Sequence, residues 1–251
     1  MSSLNPIGIP FIKLSEVDST NNYAMGLVRE GMAHHGTAVF AQQQTRGKGQ
    51  RNKDWITGTN QNIALSIIVE PQGLTHTNMI LLSMATAVST LKFINSYIPD
   101  QLSIKWPNDI YWGDRKAAGI LIENVWQQNI WKNSIIGIGV NVNQMDFGEL
   151  GSKAVSLKQI TGKEYNAVEL AKELCKRFEE EFQNLMLDNN NVIQNYKTLL
   201  YKKNNLLKFR KGNRVFEAVV KDVTISGQLV LEHAFEECFD VGEIEWLIND
   251  V

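Results

Sequence analysis

The first 142 residues alternate apolar runs that fit strands with apolar-periodic segments that fit helices. Residues 37–41 and 62–70 form short apolar runs typical of buried strands. Apolar positions recur with helical spacing over 78–97, and Pro99 ends that pattern. Further strands are predicted at 102–106, 109–112, 117–126 and 131–142, and a short capped helix at 22–30. This first region therefore mixes strands with helices.

The periodicity changes in the second half of the chain. Within 152–203, large apolar residues recur every three or four positions, which predicts an amphipathic helix. They are Leu170, Leu174, Phe178, Phe182 and Leu185, and Ser156, Asn166 and Gly162 are the candidate caps and stop. From 206 to 249 the period shortens to that of strands, with glycine-bearing turns at 211–213 and 226–227. Five short strands in so small a segment predict a compact β-barrel.

Composition narrows the class of protein. The chain has 251 residues, of which 43% are hydrophobic and 21% charged, as expected of a globular protein with a sizeable core. A formal net charge of −2 argues against a protein that mainly coats nucleic acid or an anionic membrane. No apolar stretch reaches the ~18 residues of a membrane span, and the first residues lack a secretory signal pattern. Cys175 and Cys238 lie far apart, which argues against a disulfide framework and favours a reducing cytosol.

A basic, glycine-bearing loop at 42–55 is the most informative segment. It reads QQQTRGKGQRNKDW, with four basic residues against one acidic residue. Gly47 and Gly49 let backbone N–H groups approach an anion, and lysine and arginine supply charge-assisted hydrogen bonds to carboxylate or phosphate. The loop therefore indicates an anion clamp, with a solvated basic turn as the alternative. It matches neither the Walker loop nor a dinucleotide-binding GxGxxG motif.

Two further motifs could carry chemistry. KWPND at 105–109 precedes Lys116, and Asp109 suits a carboxylate near a metal-bound nucleotide while Lys116 suits a cation aimed at it. A proline-initiated turn is the alternative. In GIGVNVN, Gly137 and Gly139 place bare backbone on one face of a strand, which indicates close approach of a ligand or another chain. Tight strand–helix packing is the alternative there.

Taken in order, these segments resemble biotin protein ligases. The resemblance is carried by Ser19-Thr20-Asn21, the GKGQR loop ending in Trp55, KWPND with Lys116-Ala-Ala-Gly, and Gly-x-Gly-x-Asn-x-Asn. It covers nearly the whole chain, and KWPND with Lys116 is its most specific part. The resemblance implies an α+β fold. Over 1–203 we expect a mixed sheet with flanking helices, like that of class II aminoacyl-tRNA synthetases, and over 204–251 a small C-terminal SH3-like β-barrel.

The resemblance also implies a two-step activity. Biotin and MgATP would give biotinoyl-5′-AMP, and a lysine of an acceptor would then take the biotinoyl group. The expected partners are biotin, ATP and the apo biotin carboxyl carrier protein of a biotin-dependent carboxylase, with no DNA, no membrane, and a homodimer left open. Only 18 residues precede Ser19, so we expect no N-terminal DNA-binding domain and no repressor role. The expected location is cytoplasmic, and no prosthetic group or structural metal is expected.

Site residues are implied by their positions in the matching motifs. The expected biotin site comprises Ser19, Thr20, Asn21, Gln44, Gly47, Lys48, Lys116, Gly137 and Gly139. The expected ATP or adenylate site comprises Lys48, Gly49, Arg51, Trp55, Asn108 and Asn141. The expected catalytic residues are Lys116, Asp109, Lys48 and Arg51, with Asp109 also the candidate Mg²⁺ ligand.

The basic loop departs from a common family form, Gly-Arg-Gly-Arg-Arg-Gly. Lys48 and Gln50 stand at the first and second arginine positions, and Asn52 at the last glycine. Lysine lacks the bidentate fork of arginine, and glutamine carries no charge. We therefore expect Arg51 to matter more than Gln50.

Two alternative functions stay open. A lipoate–protein ligase or octanoyltransferase would share the fold, but the sequence lacks the Arg-rich Gly-Gly-Gly run followed by His that we would expect of one. A non-catalytic binding module, with the C-terminal barrel recruiting a partner, belongs to a different class.

Overall fold

The computed structural model describes residues 5–55, 58–71, 73–75 and 79–248. The first elements are β1 (Phe11–Val17), α1 (Thr20–Arg29), β2 (Ala38–Gln44), β3 (Asn62–Val69), α2 (Met79–Asn95), β4 (Leu102–Lys105), β5 (Asp109–Trp112), β6 (Arg115–Gln127) and β7 (Ile130–Asn141). They are followed by α3 (Leu157–Thr161), α4 (Ala167–Leu187), α5 (Asn189–Thr198), β8 (Leu206–Lys211), β9 (Arg214–Val223), β10 (Leu229–Glu232), β11 (Glu236–Phe239) and β12 (Glu245–Trp246). The predicted strand at 109–112 is present with the same ends, the other predicted elements are present with ends shifted by a few residues, and β1 is a strand that the sequence pattern did not identify.

The larger sheet has seven strands in the order β1-β2-β3-β7-β6-β5-β4. β1 and β2 are parallel, and the other neighbours are antiparallel. Alternate residues of β3 face opposite sides, because side chains alternate along a strand. Leu65 and Ile67 face the main core, which α2 and α4 cover. Ile68 packs on the other side with Ala24 of α1.

Local sequence explains the helices that cover the main core. The five apolar residues predicted to form the inner face of α4 are all buried. The Asn166 side chain accepts hydrogen bonds from the backbone N–H groups of Val168 and Glu169, so it caps α4. Ser156 forms a capping box with Gln159 at the start of α3, and Gly162 ends α3 in the left-handed region. These contacts confirm the predicted caps.

The second face of the large sheet leaves part of its surface uncovered by helices. Helix α1 packs on β2, β3 and β7. On the same face, Gly139 of β7 pairs with Ala64 of β3 on one side and with Gly119 of β6 on the other. Gly137 of β7 pairs with Ser66 of β3. Glycines at adjacent register positions make a shallow floor, so this part of the sheet can receive other groups closely.

The C-terminal strands form a separate antiparallel sheet in the order β11-β10-β9-β8-β12. Its core contains Phe209, Val220, Leu231 and Phe239. Within the described ranges no backbone pairing joins β11 to β12, so the predicted barrel is not closed by hydrogen bonds. The sheet begins just after the predicted boundary at 203/204, which stays a prediction. The mixed sheet, flanking helices and second sheet confirm the α+β class.

The two sheets meet beside the KWPND motif. The Trp106 indole Nε1 donates a hydrogen bond to the Gly227 carbonyl oxygen at 2.8 Å. A Cβ added at Gly227 would lie 2.3 Å from Ile80 of α2, so the turn before β10 fits against this helix only because Gly227 lacks a side chain. None of the helices within the described ranges has both the length and the apolar character needed to cross a bilayer.

Candidate active site

A cavity of about 910 Å³ lies over the glycine floor of the large sheet. Its lining includes nearly all the residues that the sequence assigned to biotin or nucleotide. These are Ser19, Thr20, Asn21, Gln44, Lys48, Gly49, Arg51, Trp55, Asn108, Asp109, Lys116, Gly137, Gly139 and Asn141. Gly47 is not part of the lining but lies behind it, since a Cβ added there would be 2.8 Å from Gln44 Nε2. The fold therefore gathers these residues around one cavity.

The glycine pair on β7 is required by side chains of the same chain. A Cβ added at Gly137 would lie 2.4 Å from Asn21 Oδ1, and one added at Gly139 would lie 2.4 Å from Trp55 Cε2. The sequence predicted close approach of a ligand or another chain, whereas the groups that lie on these glycines are two side chains of the same chain, Asn21 from helix α1 and Trp55 from the basic loop. Trp55 Nε1 is buried and has no hydrogen-bond partner within the described part of the chain, which leaves an N–H donor beside the cavity.

A continuous chain of polar side chains borders the floor. Gln44 Oε1 accepts hydrogen bonds from the Thr20 backbone N at 2.8 Å and from Thr20 Oγ1 at 3.1 Å. Ser66 Oγ lies 2.7 Å from Thr20 Oγ1 and 2.6 Å from Asn21 Oδ1. Ser19 is the N-cap residue of α1, but its buried side chain makes no capping bond, so capping does not explain it.

This polar chain is rich in acceptors. Its three hydroxyl contacts, Thr20 to Gln44, Ser66 to Thr20 and Ser66 to Asn21, would each need a hydrogen. The two hydroxyl groups supply only two hydrogens, so at least one contact has none. An acceptor-rich buried group of this kind favours a ligand that brings N–H donors.

Ser66 and Glu123 are site residues that sequence reasoning missed. Ser66 is fully buried and interrupts the apolar strand β3, which is a signal the sequence did contain. Glu123 is an acid within the largely apolar strand β6, and its carboxylate accepts a hydrogen bond from Asn21 Nδ2 at 2.7 Å. A buried hydroxyl in one apolar strand and a partly exposed carboxylate in another both need polar partners, so both positions point to a polar site.

Lys116 is held over the cavity by an ion pair. Its Nζ lies 2.7 Å from Asp109 Oδ1, and it also stands over the Trp55 ring at 5.6 Å from the centroid. The side chains are 31% and 24% exposed, so this pair is partly screened by water. A cation placed in this way can stabilise negative charge that develops in the cavity.

Arg51 is a second cation of the cavity and comes from the basic loop. Its backbone is in the left-handed region, with φ 55°. The guanidinium rests against the C-terminal sheet, where a Cβ added at Gly242 would lie 3.2 Å from Nη2. Over the described ranges, no carboxylate oxygen lies within 4 Å of this guanidinium. Its charge is therefore available to a ligand.

Lys105 also lines the cavity, although the sequence gave it no role. Its Nζ lies 3.3 Å from Tyr111 Oη and 5.7 Å from the centroid of the Trp246 ring. Loss of hydration on burial lowers the pKa of this amine to about 8, while the negative charge of Asp109 opposes the shift. The cavity thus contains an amine whose pKa is lowered by burial, in addition to the cations Lys48, Arg51 and Lys116.

Two asparagines of the predicted nucleotide site use their amides to hold the cavity wall. Asn108 Nδ2 donates to the Ile120 carbonyl oxygen, and Asn141 Nδ2 donates to the carbonyls of Lys116 and Val155, each at 3.2 Å. Both residues are buried. The Asn141 amide donates both hydrogens to the protein and the Asn108 amide donates one, which leaves the side-chain oxygens of both residues for a ligand.

A protein-only metal centre is not apparent in this cavity. Across the described residues, no group of three or more His, Cys, Asp or Glu side chains is arranged to hold a metal ion. Asp109 offers one carboxylate, which fits Mg²⁺ only if phosphate oxygens and water complete its shell.

The chain is similar to known proteins over most of its length. The profile of the biotin/lipoate A/B protein ligase family matches residues 14–141. The bifunctional ligase/repressor BirA of Bacillus spizizenii is 33% identical over 174 residues, which cover 68% of this chain and 53% of that protein. The biotin–[acetyl-CoA-carboxylase] ligase of Paracoccus denitrificans is 30% identical over 169 residues, 62% of this chain and 65% of that protein.

A solved structure has the same fold. The biotin protein ligase from Aquifex aeolicus, in complex with biotin and ATP, superposes with a TM-score of 0.79 at 24% identity, covering 94% of this chain and 97% of that one. At this identity the likeness establishes the fold alone. The chain spans about half the length of the first curated relatives it matches, with 53% and 48% for the two Bacillus proteins.

Proposed function

The chain belongs to the biotin/lipoate A/B protein ligase family, and from this premise we propose that it is an ATP-dependent biotin–protein ligase. It would activate biotin as biotinoyl-5′-AMP and transfer the biotinoyl group to a lysine of an acceptor protein. The name of the Paracoccus relative, a biotin–[acetyl-CoA-carboxylase] ligase, supports this choice within the family.

The observation that carries the proposal is the acceptor-rich chain from Gln44 through Thr20 and Ser66 to Asn21. The ureido ring of biotin presents two N–H donors and one carbonyl acceptor. Its donors match the free acceptor capacity of that chain. The dithiolane ring of lipoate and the tail of octanoate have no N–H group, so they would leave these buried polar atoms unsatisfied. This favours biotin over the alternative acids.

The first step joins two anions. An oxygen of the biotin carboxylate attacks the α-phosphorus of ATP, a new O–P bond forms, and the bond to the β-phosphate oxygen breaks to release pyrophosphate. Two unit charges 4 Å apart repel by about 4 kcal/mol at an effective dielectric near 20. We assign Lys116, Lys48 and Arg51 to offset this repulsion, because all three cations line the cavity.

Magnesium would enter this site with ATP. Asp109 is the residue that would hold it, with phosphate oxygens and water as the other ligands. When bound, the ion supplies charge neutralisation to the phosphates. Asp109 pairs with Lys116 at 2.7 Å, so the carboxylate that would hold the ion and a cation that would face the phosphates lie side by side.

In the second step the amine of the acceptor lysine attacks the acyl carbon of the mixed anhydride. A C–N bond forms, the C–O bond to AMP breaks, and the amine loses a proton. We take the acceptor to be an apo biotin carboxyl carrier protein, a choice supported by the name of the Paracoccus relative. A cytoplasmic location and a homodimer stay predictions.

Pyrophosphate release with different acids tests the proposal. With MgATP, biotin should give pyrophosphate, whereas lipoate and octanoate should give only the background seen without an acid. Release that depends on lipoate or octanoate would support the acyl transferase alternative. No release with any of the acids, from protein that is folded by circular dichroism, would support a binding module.

A further inference from the structure

Glu123 stands where the ring-binding side chains meet the basic loop. Its Oε2 accepts a hydrogen bond from Asn21 Nδ2 at 2.7 Å, and its Oε1 lies 3.6 Å from Lys48 Nζ. Asn21 is buried, whereas the Glu123 side chain is 31% exposed. One carboxylate on β6 therefore contacts both a residue of α1 and a residue of the loop.

The charge of Glu123 dictates which way the Asn21 amide faces. A carboxylate can only accept hydrogen bonds, so the NH₂ group of Asn21 must point toward it. The Leu121 carbonyl, 3.5 Å from the same nitrogen, favours the same orientation. The opposite orientation would place the amide oxygen against two acceptors and the NH₂ group against Ser66, which at present lies 2.6 Å from Asn21 Oδ1.

We propose that Glu123 is a positioning residue, which fixes the Asn21 amide so that its oxygen stays in the acceptor chain that recognises the ureido N–H groups of biotin. This inference rests on the proposed function, because it takes biotin as the ligand. Glu123 is not part of the cavity lining, so it acts on the ligand through Asn21. The second contact of Glu123, with Lys48, holds the basic loop close to the carboxylate that orients Asn21.

Exchanging the amide of Asn21 and the carboxylate of Glu123 tests this contact. Asn21→Asp would place two carboxylates face to face, and the binding of biotin should weaken by about a hundredfold or more. Glu123→Gln keeps an acceptor for Asn21, so it should weaken binding by less than about tenfold. In the double variant the amide introduced at position 123 can donate to the carboxylate introduced at position 21. Biotin should therefore bind the double variant at least about tenfold more tightly than Asn21→Asp alone.

Glu237 provides the matched control. Its side chain is also 31% exposed and paired with a lysine, Lys211 at 3.2 Å, but it lies on β11 of the C-terminal sheet. Glu237→Gln should leave biotin binding unchanged and should not rescue Asn21→Asp. Thermal unfolding of each variant would establish that the binding constants refer to folded protein.

A second readout covers the case in which Asn21→Asp does not fold. Glu123→Ala frees the Asn21 amide, so the preference for biotin over analogues methylated on a ureido nitrogen should fall by about tenfold, a change that a merely structural role would not produce. If the parent chain does not bind biotin in calorimetry, the proposed function fails. If the parent binds biotin but Glu123→Ala keeps its full preference, the positioning role is overturned; absence of rescue in a folded double variant overturns it equally.

Discussion

The Trp55 indole lies directly on Gly139, where an added methyl group would stand 2.4 Å from ring atom Cε2. The same residue closes the basic loop, because its backbone N donates to the Gly47 carbonyl oxygen at 2.8 Å. The position of the loop over the cavity therefore depends on a strand residue that has no side chain.

Gly139→Ala should displace Trp55 and open the loop. Overpacking of this kind costs about 1–3 kcal/mol of folding free energy, and much of that strain can be relieved by moving the loop. We expect biotin to bind at least about tenfold more weakly, with a modest fall in the unfolding midpoint. Isothermal calorimetry and thermal unfolding would measure the two effects.

Gly26→Ala is the control for that substitution. Gly26 lies in α1 outside the cavity lining, and a Cβ added there would meet nothing within 4 Å. Alanine in a helix interior should stabilise the fold by up to about 1 kcal/mol and leave biotin binding unchanged. Equal biotin affinity in Gly139→Ala and the parent would show that the contact with Trp55 has no role in binding.

Lys116→Ala should slow adenylate formation while changing the free energy of unfolding little. The Lys116–Asp109 pair is partly exposed, so its loss should change the free energy of unfolding by less than about 1 kcal/mol. Adenylate formation should slow by about a hundredfold, because a cation aimed at developing charge is lost. Lys221→Ala, which removes a similarly exposed lysine paired with Glu232 at 2.9 Å on the C-terminal sheet, should leave that rate unaltered. A parental rate of adenylate formation in Lys116→Ala would refute the assigned role.

Arg51 and Gln50 should differ in their effect on ATP. Both line the cavity, but only Arg51 carries a charge, and hydrogen bonds to charged groups are stronger than neutral ones. Arg51→Gln should raise the KM for ATP by about tenfold, and Gln50→Ala by no more than about twofold. Steady-state kinetics at saturating biotin would compare them, and a larger effect at Gln50 would reverse the assignment.

Lys105 should make stability depend on alkaline pH. Burial lowers the pKa of its amine to about 8, from an ordinary value of 10.5. Between these pH values the unfolded chain binds more protons than the folded chain, so this residue makes the free energy of unfolding rise with pH. Lys105→Met lacks the buried charge, so its free energy of unfolding should exceed that of the parent at pH 8. This excess should shrink as pH rises from 8 to 10. Urea unfolding across that range would measure it, and a constant difference would contradict the low pKa.

The sequence predicted the strands and helices with clear periodicity. The apolar run of β3 and the helical spacing of α4 are long enough to identify each element on its own. Strand β1 escaped detection because it mixes partly buried apolar residues with exposed polar ones at the sheet edge. Local patterns of glycines and basic side chains indicated the loop at 42–55 and the Gly137/Gly139 pair, and the family resemblance implied most of the other cavity residues.

The contacts between those residues could not be predicted from the sequence. Ser66 is 45 residues from Asn21, and Glu123 is 102 residues from it, so their meeting depends on the register of β3, β7 and β6. No local pattern specifies that register. The same holds for Trp55 on Gly139, which supplies the close approach that the glycines indicated.

Transfer of labelled biotin to an apo biotin carboxyl carrier domain tests the central claim most directly. The chain, labelled biotin, MgATP and the carrier are incubated together, and the carrier is examined by mass spectrometry. We predict a single biotinoyl group on one lysine, dependent on ATP and strongly reduced with Lys116→Ala. A carrier that stays unmodified in the presence of folded protein, ATP and biotin would contradict it.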